Sequence, residues 1–95
     1  MKLKWTRLAA HDLESATNYF EREAPEAIHP VLVRIEAATR MLLSWPLAGR
    51  VGRIFGTREW VVQDTSYIIA YRVAGDVLVI LRVLHSRQRW PRRIG

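Results

Sequence analysis

The chain has 95 residues, a net charge of +6 and no cysteine. That length makes one domain, residues 1–95, and is too short for two. The missing cysteine excludes disulfides, thiol nucleophiles and cysteine-ligated metals, and 49% hydrophobic residues exclude a disordered chain. In chain order, "KLKW" alternates polar and apolar residues and predicts a short strand. Thr6 then serves as the N-cap of a first helix, in which Ala9, Leu13, Ala16 and Phe20 recur at helical spacing. Pro25 and Glu26 suit the start of a second helix, with Ile28, Leu32, Ile35, Thr39 and Leu42 as its buried stripe. A start near residue 25 leaves Pro30 inside the helix and predicts a distortion there. A start near His29 would seat Pro30 comfortably in the first turn. The helix stops at "SWPLAG".

From Gly49 the pattern changes to strands. "GRVGRIFG" is a glycine-punctuated loop or irregular edge, and "TREWVVQ" reads as a strand. "DTS" is a turn, "YIIAYRV" a second strand and "VLVILRVLH" a third, with a tight hairpin at Gly75-Asp76. A two-residue hairpin loop pairs Ala74 with Val77, Arg72 with Val79 and Ser66 with His85. It places Ile68, Ala70, Val77, Val79, Leu81 and Val83 on the face expected beneath the helices. The opposite face, with Tyr67, Ile69, Tyr71, Leu78, Ile80, Arg82 and Leu84, is too apolar to be left wholly wet. The expected fold is α+β, in the order β-α-α-β-β-β. A helical hairpin packs on one face of a small, mainly antiparallel sheet.

The charge is unevenly placed. Residues 1–49 balance six cations against six acids, whereas residues 50–95 carry nine arginines against Glu59, Asp64 and Asp76. A one-sided arginine surface implies an acidic partner. The first residues lack the apolar stretch of a signal peptide, and no apolar run reaches membrane-spanning length. The expectation is a cytoplasmic protein that does not enter membranes. His11, His29 and His85 have no metal-like spacing with carboxylates, so neither a metal nor a cofactor is expected.

"WTRLAAHDLESATNYF", "LLSWPLAGRVGRIFGTREWVV", "YIIAYRV" and "VLVILRVLHSRQRWP" together resemble the RelE/ParE toxins of bacterial toxin–antitoxin pairs, in the right order over essentially the whole chain. The resemblance implies a growth-inhibiting toxin neutralised by a co-encoded antitoxin. RelE-like members cleave messenger RNA on the ribosome; ParE-like members inhibit DNA gyrase. RNA cleavage through the 2′-hydroxyl needs a base, an acid and cations for the phosphate. In the RNA-cleaving relatives an arginine follows the aromatic residue opening the strand matched by "YIIAYRV"; here that residue is Ile68. His85 matches a histidine that some of them use, but no tyrosine follows it. The resemblance therefore points to a ParE-like binder of gyrase, with Arg58, Arg72, Arg82, Arg87, Arg89 and Trp90 contacting target or antitoxin. The alternative is an mRNA endoribonuclease using Arg58, Arg82 and His85.

Overall fold

The computed structural model describes residues 1–93. β1 (Lys2–Trp5) leads into α1 (Arg7–Glu23), a single 3-10 turn (Pro25–Ala27) and α2 (Ile28–Ser44). β2 (Arg50–Val51), β3 (Arg58–Val61), β4 (Tyr67–Ala74) and β5 (Val77–His85) follow. The strands form one sheet in the order β1-β5-β4-β3-β2. β1 runs parallel to β5 and the other pairs are antiparallel. The α+β arrangement agrees with the sequence reading, and "GRVGRIFG" contributes only the two-residue edge strand β2 and a turn.

Thr6 ends β1 and starts α1. Its hydroxyl oxygen accepts from the Ala9 amide at 3.0 Å, capping the helix. The same hydroxyl donates to the Leu81 carbonyl at 2.8 Å, just past the last β1–β5 pair, Trp5 with Ile80. The second helix corrects one expectation. It begins at Ile28, not near residue 25, because Pro25 opens a separate 3-10 turn. Pro30 then lies in the first helical turn, where its missing N–H would have had no partner, so it forces no kink.

The hairpin corrects two more. Ala74 pairs with Val77 and Arg72 with Val79, but Ala70 opposes Arg82 while Tyr71 opposes Ile80. Leu81 is the extra residue of a β-bulge. Beyond it the register slips by one, so Tyr67 and not Ser66 faces His85. The faces are also exchanged. Tyr67, Ile69, Tyr71, Leu78 and Ile80 lie beneath the helices, packed with Ala9, Ala16, Ile35, Ala38 and Leu42. Of the expected set only Val83 joins that core, because the bulge reverses the alternation before it is reached. The opposite face, with Ile68, Ala70, Val79, Leu81 and Leu84, is buried as well. When both faces are apolar, a period of two cannot say which of them the helices choose.

The path from α2 to β2 is tied to the core by one phenol. The Tyr71 hydroxyl donates to the Pro46 carbonyl at 2.7 Å and accepts from the Gly49 amide at 2.9 Å. A Cβ on Gly49 would lie 2.9 Å from the Glu59 carbonyl oxygen and 2.5 Å from the Tyr71 hydroxyl, so only glycine fits.

Candidate partner-binding surfaces

Two surfaces follow from this fold, one concave and one charged. The concave one opens between the helices and the end of β5, a cleft of about 590 Å³ lined by Tyr19, Phe20, Val31, Tyr67, His85 and Arg87 among others. Its floor is a run of edge-to-face aromatic contacts. Tyr19 meets Phe20 at 5.5 Å between ring centres, Phe20 meets Tyr67 at 6.3 Å, and Tyr67 meets His85 at 5.5 Å. Such packing fixes the rings in orientation. Burial, with Tyr19 nearby, pushes the Tyr67 phenol above its ordinary range. It stays protonated at neutral pH and cannot take a proton from a substrate.

His85 closes β5 and holds the turn after it. Its Nδ1 accepts from the Arg87 amide at 3.1 Å, while its own amide donates to Gln88 Oε1 at 3.2 Å. The ring's lone pair is thus engaged within the chain, which leaves the proton on Nε2. Ile68 does not stand beside it. His85 opposes Tyr67 beneath the helices, and Ile68, one residue along, points to the other face opposite Leu84.

The remaining candidates are dispersed. Arg82 is held by Asp12 of α1 through Nε at 2.7 Å and Nη2 at 2.9 Å, and Asp12 also accepts from the Val83 amide at 3.0 Å. α1 thereby continues the edge pairing of β5 after β1 has ended. The hydrogen bond from Arg82 to Asp12 raises the guanidinium pKa further, against the opposing effect of burial. Arg58 points its Nη1 at the Gly49 carbonyl, 2.8 Å away, and so braces the α2–β2 linker. It opposes Tyr71, four residues along β4 from the Tyr67 that faces His85, or about 13 Å at strand rise. Arg58, Arg82 and His85 do not converge.

The charged surface is organised by Glu59, one of the three acids in the basic second half of the chain. Its side chain is only 2% exposed. It accepts from Arg50 Nη2 at 3.0 Å, from Arg53 Nε and Nη2 at 3.1 Å, and from the Arg53 amide at 2.8 Å. Burial alone would raise its pKa, but the hydrogen bonds from Arg53 and Arg50 outweigh it and hold the carboxyl below its ordinary value of 4.5. A carboxylate depressed on folding stabilises the protein fully above its unfolded pKa, and that contribution is lost as pH falls through the native value. Urea midpoints measured downward from pH 5 should therefore fall more steeply for the natural chain than for Glu59→Gln. Parallel curves would refute this role.

The Arg53 guanidinium also lies over the Trp90 ring, 3.8 Å from its centroid. Glu59 opposes Ala70, so this stack carries the C-terminal segment across the sheet face away from the helices. The Trp90 Nε1–H is buried and has no acceptor among the described residues. Detaching the segment would return that donor to water, which offsets part of the lost stacking. Arg72, Arg87, Arg89, Arg92 and Arg93 are exposed, and none of them makes an ion pair among the described residues. Among the described residues no three metal-ligating side chains converge, and no helix is long and apolar enough to cross a membrane.

Comparison with known proteins gives a consistent result. A family model described as the ParE toxin of the type II toxin–antitoxin system parDE matches residues 3–90. A protein of Sinorhizobium fredii named "Putative toxin Y4kP" is 42% identical over 90 residues, covering 95% of this chain and 93% of its own. A chain from the solved chromosomal ParDE toxin–antitoxin system of P. aeruginosa superposes with a TM-score of 0.78 at 28% identity. That match covers 90% of this chain and 95% of the other.

Proposed function

Because the chain belongs to the ParE toxin family of type II toxin–antitoxin systems, we propose that it halts growth in the cytoplasm by clasping DNA gyrase and cuts no RNA. One observation carries this choice: the groups that RNA cleavage would need are not assembled. Arg82 is neutralised by Asp12, His85 Nδ1 is occupied by the Arg87 amide, and Ile68 lies on the other face of the sheet. A phosphate passing the cleft would meet no group free to take its neighbour's 2′-hydroxyl proton.

A co-encoded antitoxin neutralises the chain in this reading, by laying a segment that is disordered when free into the aromatic cleft. The concave shape, the half-exposed Tyr19 and the free Arg87 at the rim suit an extended peptide with apolar and acidic side chains. Ordering that peptide would also cover apolar surface that a domain of this size has little means to bury alone.

The test is a supercoiling assay with purified gyrase, beside cleavage of ribosome-bound messages. The chain should inhibit supercoiling, and His85→Ala should inhibit within about fivefold of the natural protein, because a turn-capping hydrogen bond contributes about 1 kcal/mol. Message cleavage that His85→Ala abolishes would establish the nuclease instead.

A further inference from the structure

The turn between β2 and β3 is built as a rigid knob. The Gly52 amide donates to the Thr57 carbonyl at 2.8 Å, and the Thr57 hydroxyl donates to the Ile54 carbonyl at 2.6 Å. Gly56 takes φ +80°, a conformation that suits glycine. Arg53 is gripped by Glu59 through both its amide and its guanidinium. A turn closed at so many points keeps one shape. At its tip it holds Phe55 with a relative exposure of 102%, an aromatic ring wholly in water.

The ring has particular surroundings. Arg53, Arg58 and Arg72 line the depression beside it, together with the exposed Val51 and Val73. Among the described residues no carboxylate borders that depression. Aromatic residues and arginine are the types that dominate binding energy at protein interfaces.

We propose that Phe55, beside Arg72, unpaired among the described residues, is the element by which this toxin docks on its growth-essential target, a folded protein with an apolar pocket bearing a carboxylate at its rim. The proposal rests on the reading of the chain as a toxin, but not on gyrase being the target. Shape decides between the possible occupants. A disordered antitoxin segment offers no preformed pocket and needs a groove, which the aromatic cleft supplies. A protruding, preorganised ring needs a concavity in its partner, which a folded protein supplies. Rigidity lowers the ordering cost of docking, and the charge of Arg72, which makes no ion pair among the described residues, matches an acidic rim. The neighbouring apolar side chains Val51 and Val73 favour a protein over a nucleic acid.

The experiment compares induced expression of the natural chain, Phe55→Ser, Phe55→Leu and Arg72→Glu in cells. Thermal melts of the purified proteins run alongside, with binding to a single-stranded oligonucleotide. Phe55→Ser should melt within about 2 °C of the natural chain, since the ring is fully exposed. It should weaken target binding about thirtyfold, the scale of an interface hot spot, and the inducer level that stops growth should rise to match. Phe55→Leu should restore part of the effect, and Arg72→Glu should behave like Phe55→Ser. Unchanged toxicity of Phe55→Ser at equal abundance would overturn the assignment and leave the toxin reading intact. Oligonucleotide binding that depends on Phe55 would overturn it in favour of a nucleic-acid partner. A natural chain that never slows growth would overturn both readings. Loss of toxicity in Phe55→Ser without any effect of the natural chain on gyrase would uphold the knob and refute gyrase alone.

Discussion

Asp12→Ala lowers the unfolding free energy by about 3 kcal/mol, near the lower end of what breaking a buried ion pair costs. The side chains of Asp12 and Arg82 are 10% and 17% exposed, so the guanidinium keeps little water once its partner is removed. The Val83 amide loses its acceptor in the same step. That amide lies beyond the reach of β1, whose pairing ends at Ile80, and among the described residues no other strand borders β5 on that side. A domain of this size has about 5–15 kcal/mol of stability in all, so the loss should be obvious in urea unfolding at neutral pH. Asp12→Leu combined with Arg82→Met should recover more than half of it, because an apolar pair of similar volume often replaces a buried ion pair without loss. A single-variant loss below about 1 kcal/mol would show that the pair acts as an ordinary surface bridge. The bearing on function is direct: Arg82 is part of the scaffold that joins α1 to the sheet, so its replacement would reduce toxicity through folding in a nuclease and in a gyrase binder alike.

Tyr71→Ala costs about 3–5 kcal/mol, the range for deleting a buried aromatic ring. Tyr71 is fully buried and lies in the core beneath the helices. Tyr71→Phe separates the two contributions. It keeps the ring and removes only the hydrogen bonds to Pro46 and Gly49, for a loss of about 1–3 kcal/mol. Burial raises the phenol pKa, and the Gly49 hydrogen bond and the Arg58 charge only partly oppose it. The hydroxyl therefore keeps its proton and its role as donor at neutral pH. In Tyr71→Phe the Gly49 amide should exchange its hydrogen much faster than in the natural chain, since that hydroxyl is its acceptor. Equal exchange in the two proteins would mean that the linker is held by other contacts. Leu47, on that linker, lines the depression beside Phe55, so the phenol also shapes the surface proposed to meet the target.

Much of this architecture was legible before any coordinates. Thr6 as a cap, the core stripe of α1, the Ile35, Thr39 and Leu42 part of the α2 stripe and the limits of β5 follow from local chemistry alone. Pro30 was misjudged for a local reason as well, because a 3-10 turn at Pro25 satisfies the same signals as a helix start. The surfaces were less legible. Arg82 and Trp90 both read as free partner contacts, yet one guanidinium is committed to Asp12 and the Trp90 ring lies against Arg53. Nothing near either residue in the chain marks those partners. Phe55 is not legible in the sequence, because a lone aromatic between glycines carries no periodic signal.

By itself, the sequence determined the order of elements and the basic second half. Each of these follows from side-chain type and short-range spacing. Only the tertiary structure decided which sheet face the helices cover and which arginines remain free. The first stays open along the chain because both faces are apolar, and the bulge at Leu81 reverses the alternation only for the end of β5. The second depends on which carboxylates reach the guanidiniums, and Asp12 meets Arg82 across seventy positions of chain. Charge neutralisation acts through space, and no pattern read along the chain reports it.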